Sequence, residues 1–259
     1  MEPFDIFCQY RTERLGRPFT GYTAEVFPDL TRYTALEAGG DGWVMFAQLD
    51  QATSDERIRE QIHHFRNIGQ RFEWKVYDFD TPASLKTLLE SHGFSCGEKE
   101  AFLSLAVDDW TERPPPFPPG VRLEKISHPR GIPDFIKVEE AAFGQLFPEH
   151  GKRYLNEMNA GPDITSFYCA YLGGQPVAAG RMTLSAGSAF AELWSGCVVP
   201  ALRGQGLYTA ILDCRIREAR ANGYQYVTVD AEPMSRPILT GKGFRHICWT
   251  YPMALPPPA

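Results

Sequence analysis

No two of the six cysteines in this 259-residue chain stand at C-x-x-C spacing; Cys8, Cys96, Cys169, Cys197, Cys214 and Cys248 are scattered along it. That excludes the common zinc-ribbon and dithiol redox patterns, and the cysteines read as reduced core residues. H-E-x-x-H and G-x-S-x-G are also absent, which removes the commonest metallohydrolase and serine-hydrolase arrangements. His63 and His64 are adjacent, and neighbours on a helix diverge by about 100°, a poor geometry for sharing an ion. No metal site is expected. No G-K-[ST] closes a nucleoside-triphosphate loop, and no G-x-G-x-x-G with a later acidic residue marks a dinucleotide fold. Apolar runs fall short of the ~20 residues of a membrane helix and no basic-apolar leader is seen, so the expectation is a cytoplasmic protein without a membrane partner. Excess positive charge is lacking as well. The net charge of −6 argues against nucleic acid as a main partner.

Proline, by contrast, is concentrated. Arg113 to Gly120 holds five prolines in eight residues, a composition that favours an extended spacer. It divides the chain into residues 1–112, a linker at 113–120 and residues 121–259. The first part carries 11 Lys and Arg against 20 Asp and Glu, a net of −9, and the remainder 15 against 12, a net of +3. The basic part suits a polyanionic ligand and the acidic part a cationic one, although ordinary surface solubility explains the same asymmetry.

The most specific stretch lies in the basic part. An apolar strand over roughly Ala189 to Val199 runs into Pro200-Ala201-Leu202-Arg203-Gly204-Gln205-Gly206, which opens onto a helix with Leu207, Ala210, Ile211 and Cys214 at helical spacing. Arg215, Arg217 and Arg220 populate the other side of that helix, and Gly223 stands where a C-terminal cap belongs. Two glycines let backbone N–H groups converge, and the positive end of the helix favours an anion there. Extended segments at Thr165–Leu172 and Pro176–Leu184, joined by Gly173-Gly174, precede the strand. After the helix come a β-rich run at Tyr226–Asp230, a helical segment at Ser235–Thr240, Gly243-Phe244 and a last strand to Met253.

The first part repeats much of this order. A hairpin at Leu30–Ala38 and Trp43–Leu49 leads to a helix from Asp55 to about Ile68, entered through Thr53 with Glu56 three residues on as a capping box. A strand at Phe72–Phe79, a helix at Pro82–Ser91, Gly93-Phe94 and a strand to Val107 follow, which suggests a duplication. One component is missing: Asp50-Gln51-Ala52-Thr53-Ser54 lacks the glycines and the basic residue of a phosphate loop.

The order of elements, the match to V-x-P-x-x-[RQ]-G-x-G-hydrophobic at Val198, Pro200, Arg203, Gly204, Gly206 and Leu207, and the closing Gly243-Phe244 together resemble the GNAT superfamily of acetyl-CoA-dependent N-acetyltransferases. The resemblance covers about Gly120 to Leu255. It implies an α/β (α+β) fold of two GNAT-like halves, each a mixed, mostly antiparallel twisted sheet flanked by helices. The half at 121–259 then binds acetyl-CoA as co-substrate, and the degenerate half at 1–112 does not. The implied reaction is direct acetyl transfer to a primary amine of a small molecule. A non-catalytic acetyl-CoA-sensing module and a protein or peptide N-acetyltransferase are the alternatives.

By the same resemblance, the cofactor is held by Cys197, Val198, Val199, Arg203, Gly204, Gln205, Gly206, Leu207 and Tyr208, with the Val198 backbone N–H facing the thioester oxygen. Tyr208 stands where the family has glycine or alanine. Leu239 stands where it often has a tyrosine acid, so no general acid carries over. Glu192, six residues before Val198 and on its pleat face in a regular strand, is the base candidate; its bland reading is a structural carboxylate paired with an arginine such as Arg181. Phe143, Phe147, Tyr168 and Trp194 line an acceptor pocket or pack the core. The segment from Phe143 to Asn159, with Gln145, Glu149, His150 and Glu157 among aromatics, falls where the family varies its acceptor site.

Overall fold

The computed structural model describes residues 1–111, 118–161 and 164–256. Most of the proline-rich linker lies outside the described residues. By packing, the chain divides into two compact units, Met1–Leu103 with Asp230–Ala259, and Ser104–Val229. In chain order the elements of the first stretch are α1 (Pro3–Arg14), β1 (Tyr22–Val26), β2 (Thr31–Ala35), β3 (Asp41–Met45), α2 (Ser54–Asn67), β4 (Arg71–Tyr77), α3 (Leu85–Ser91), β5 (Ser95–Cys96) and β6 (Glu100–Ala106). Then come β7 (Val121–Lys125), α4 (Ile132–Phe143), α5 (His150–Ala160), β8 (Thr165–Leu172), β9 (Gln175–Leu184), β10 (Phe190–Val198) and α6 (Leu207–Ala221). The chain closes with β11 (Tyr226–Ala231), α7 (Arg236–Thr240) and β12 (Arg245–Ala254).

In the first unit β1, β2 and β3 form an antiparallel meander, β3 runs parallel to β4, and β12 pairs antiparallel with β4. The last strand of the chain thus belongs to the unit built mainly from its beginning. Ile58, Ile62 and Phe65, spaced along one face of α2, pack with Val44, Phe72 and Trp74 of the sheet. The approach is close at Gly42, where a Cβ would lie 2.2 Å from the Phe65 ring. The expected capping box does not form: Thr53 has helical dihedrals and its side chain makes no cap. A turn closed by Asp50, whose Oδ1 accepts from the Ala52 N–H, enters the helix instead.

In the second unit the order is β7, β8, β9, β10 and β11, antiparallel except for the parallel pair β10 and β11. Gly173 and Gly174 take φ of 58° and 79° in the β8–β9 turn, the left-handed pair that a two-residue hairpin requires. Two layers cover the sheet. Phe135 and Val138 of α4 and Tyr154 of α5 pack with Phe167, Cys169, Ala179 and Cys197 on one face, and Leu207 and Ile211 of α6 with Ala170, Ala178 and Val198 on the other. Each unit is a mixed, mostly antiparallel α/β assembly.

Candidate active site

A β-bulge organises the site. Trp194 pairs with Arg181, but the next pair is Cys197 with Ala179, so Ser195 and Gly196 together oppose Gly180. Ser195 takes φ 50° to accommodate the extra residue. The bulge overturns the expected face parity of Glu192 and Val198. Glu192 pairs with Thr183 and Val198 with Ala178; the partners are an odd number of residues apart, so the two side chains point to opposite faces. Glu192 lies on the side of α4 and α5, Val198 on the side of α6.

β10 also parts from its parallel neighbour. Pairing with β11 covers Phe190, Ala191 and Glu192, while β10 runs on to Val198. On the other edge Val199 N–H donates to Val177 O at 3.0 Å. By alternation the Val198 N–H then points to the unpaired edge. The Val198 carbonyl accepts from Arg203 Nε at 3.3 Å, and Arg203 Nη2 donates to Ala142 O at 2.7 Å. Arg203 therefore ties the loop to the end of α4, and its charge stands beside the cradle.

Gly204 and Gly206 take φ of 76° and 81°, the left-handed region favouring glycine. Among the described residues no acceptor is seen for the backbone N–H groups from Gly204 to Thr209. They form the orphan-donor end of α6, suited to an anion. The space at Gly204 is open, with nothing within 4 Å of an added Cβ. Leu207 is buried beside Val198 and Ile211, so only its backbone is available to a ligand. The Tyr208 ring packs over the bulge, its Cε2 3.1 Å from where a Gly196 Cβ would lie.

Arg215 departs from the sequence reading, which put it on the polar side of its helix. It is buried, and its guanidinium donates to Ile211 O at 3.3 Å and to Arg181 O and Trp194 O at 3.1 Å. The bulge diverts strand carbonyls from their ladder, and Arg215 satisfies them. Burial pushes its pKa below the ordinary arginine value.

On the α4–α5 face, Phe147, His150, Glu157 and Trp194, named in the sequence reading, join a polar network with Glu139, Tyr154 and Arg181 that the sequence did not foretell. Tyr154 Oη donates to Glu139 Oε1 at 2.8 Å, and His150 Nδ1 lies 3.0 Å from Glu139 Oε2 and 3.1 Å from Tyr154 Oη. Ser195 Oγ of the bulge is 3.4 Å from Tyr154 Oη. The Phe147 ring stacks on His150 with centroids 4.4 Å apart and planes 9° from parallel. Arg181 pairs with Glu157 at 2.9 Å and lies over the rings of Tyr154 and Trp194. Burial pushes the Tyr154 hydroxyl above its usual pKa. Cys197, buried on this face, is pushed up to about 12 by burial, which removes it as a nucleophile. The signal for the network in the sequence was faint: His150 and Tyr154 sit four residues apart, but Glu139 comes from another helix.

The corresponding place in the first unit is closed. Phe46 follows β3 with φ 61°, as Ser195 interrupts β10, but the chain beyond it stays bonded. Leu49 N–H donates to Thr81 O at 3.0 Å, Thr81 N–H to Ala47 O at 3.1 Å, and Gln48 Nε2 to Phe79 O at 3.1 Å. Among the described residues no free strand edge opens there.

A splayed parallel strand pair leads into a glycine loop at a helix N-terminus, a place where backbone donors face an anion. Residues 132–236 match the model of the acetyltransferase (GNAT) family. Among solved structures, a GCN5-related N-acetyltransferase from Kribbella flavida is 16% identical with a TM-score of 0.71, covering 98% of this chain and 95% of that one. One from Sphaerobacter thermophilus is 15% identical with a TM-score of 0.63 over 93% and 82% of the two chains. A tandem GNAT protein from the clavulanic acid biosynthesis pathway is 12% identical with a TM-score of 0.61 over 89% and 79%. These likenesses are of fold. A search of curated proteins gave no match. Among the described residues no helix is long and apolar enough to cross a membrane.

Proposed function

We propose that this chain transfers an acetyl group from acetyl-CoA directly to a primary amine of a small molecule, with the cofactor in the unit Ser104–Val229. The observation that carries the proposal is the open edge of β10 beside the glycine cradle: one strand offers an unpaired N–H at Val198, and six residues on, the backbone turns orphan donors to an anion. The pantetheine arm pairs with β10 as an added strand, and the pyrophosphate occupies the end of α6. The amine nitrogen attacks the thioester carbon while Val198 N–H stabilises the developing oxyanion. The C–S bond then breaks and CoA leaves as a thiolate. Proton removal falls to the α4–α5 side of β10, where Glu192 and the Glu139–His150 pair both lie. The closed strand pair at Ala47–Leu49 supports one cofactor per chain.

Leu239, fully buried where the family often has a tyrosine, favours a second reading, an acetyl-CoA-binding module without turnover. A panel of small amines with detection of released thiol separates the two. Release that depends on an amine is the expected result; acetyl-CoA binding without release from any acceptor would favour the module, and no binding at all would overturn both.

A further inference from the structure

We propose that His150 Nε2 is the base that takes the proton from the acceptor ammonium, with Glu139 as its positioning residue; this rests on the acetyl-transfer reading above. Three features converge on the imidazole. Glu139, 2% exposed, receives Tyr154 Oη on one carboxylate oxygen and His150 Nδ1 on the other. A buried acceptor of that kind holds the proton on Nδ1 and leaves the lone pair on Nε2. Nε2 has no partner among the described residues, and the side chain as a whole is 20% exposed. Phe147 fixes the ring plane by stacking, and Tyr154 links the assembly to Ser195 in the bulge. The titratable groups in contact with His150 are Glu139 from α4 and Tyr154 from α5, and Tyr154 in turn meets Arg153 from α5 and Arg181 from β9, the latter paired with Glu157.

The chemistry balances. The ammonium N–H bond breaks, its proton forms the Nε2–H bond of an imidazolium, and the freed nitrogen pair attacks the thioester carbon. As the C–S bond breaks its electron pair goes to sulfur, and the second proton shed by the nitrogen passes to that thiolate, leaving the neutral amide and the CoA thiol. Glu139 accepts from Nδ1–H of the imidazolium, which then returns its proton to water. Glu192 is less suited to this role. It is 5% exposed and belongs to the last β10 residue still paired with β11, before the edge opens.

Two measurements on the full chain test the assignment. Long-range ¹H–¹⁵N spectra report the tautomer without any acceptor: neutral His150 should carry its proton on Nδ1 in the wild type, and Glu139→Gln should shift it toward Nε2. Acetyl transfer to 2-phenylethylamine and to spermidine gives the second. His150→Gln should lower turnover about 10²-fold or more near neutral pH with acetyl-CoA affinity unchanged. That deficit should shrink as pH approaches the amine's own pKa of about 10, since a free amine needs no base to deprotonate it. A structural role predicts instead a deficit constant with pH and a lower melting temperature. A proton on Nε2 in the wild type, or His150→Gln turnover within about twofold of wild type, would overturn the assignment. Failure of the wild type to bind acetyl-CoA would sink the acetyl-transfer reading separately.

Discussion

Gly204 offers a graded perturbation of the cradle, because its backbone sits at φ 76° and nothing lies within 4 Å of an added Cβ. Within the protein, then, a side chain at this position meets no clash, and the cost is conformational. For an L-residue the left-handed region costs roughly 1–2 kcal/mol, more when β-branched and less for asparagine. If the loop must hold that conformation to aim its N–H groups at the anion, Gly204→Ala should weaken acetyl-CoA binding by about 5–30-fold. Gly204→Val should weaken it further, whereas Gly204→Asn, although larger than alanine, should be milder. That inversion of size and effect separates backbone geometry from obstruction of the ligand. Calorimetric titration of acetyl-CoA into each variant gives the affinities, and thermal melting confirms that the fold persists. Wild-type affinity in folded Gly204→Val would refute the cradle; a loss ordered by side-chain volume would refute the conformational argument.

The same titration on the wild-type chain should give one equivalent of acetyl-CoA, and two would contradict the closed slot between Ala47–Leu49 and Thr81. Glu192→Gln, assayed beside His150→Gln, should leave the acidic limb of the pH–rate profile in place and reduce turnover less than about tenfold; a flattened limb would return the base to Glu192. Arg215→Met strips donors from the strand carbonyls of Arg181 and Trp194 and should cost about 2–6 kcal/mol, at about 1–3 per bared group. Chemical denaturation measures it, and a loss under about 0.5 kcal/mol, the range of a neutral surface substitution, would show that the bulge holds itself. Burial pushes Glu100 up to about 7, with Lys75 opposing and Asp230 and Glu73 adding to the rise. Since the folded state holds this proton more tightly than the unfolded one, the contribution is favourable in acid and is lost as pH rises from 4.5 to about 7. Glu100→Gln should therefore melt higher than wild type at pH 8, with the gap closing toward pH 5, and a gap independent of pH would contradict the assignment.

Residue order alone determined the elements around the cradle. Apolar extended runs broken at Gly173-Gly174 marked β8 to β10, a helical repeat marked α6, and glycines at 204 and 206 are needed because no other residue takes left-handed dihedrals as readily. The family resemblance rested on these local signals, which survive because each is encoded within a few neighbouring residues. Tertiary structure decided what distant segments do to one another. One extra residue at Ser195–Gly196 inverted the facing of Glu192 relative to Val198, and no pattern in β10 announces it, since the bulge is defined by its register against β9. Arg215 reads as polar surface until the diverted carbonyls of Arg181 and Trp194 are seen to need its donors. Glu139 and His150 lie 11 residues apart on two helices, and only the packing of α4 against α5 brings a buried carboxylate onto an imidazole. Periodicity reports which face a side chain occupies in a regular element; hydrogen-bond partners across elements depend on register and packing, which the local chain does not contain.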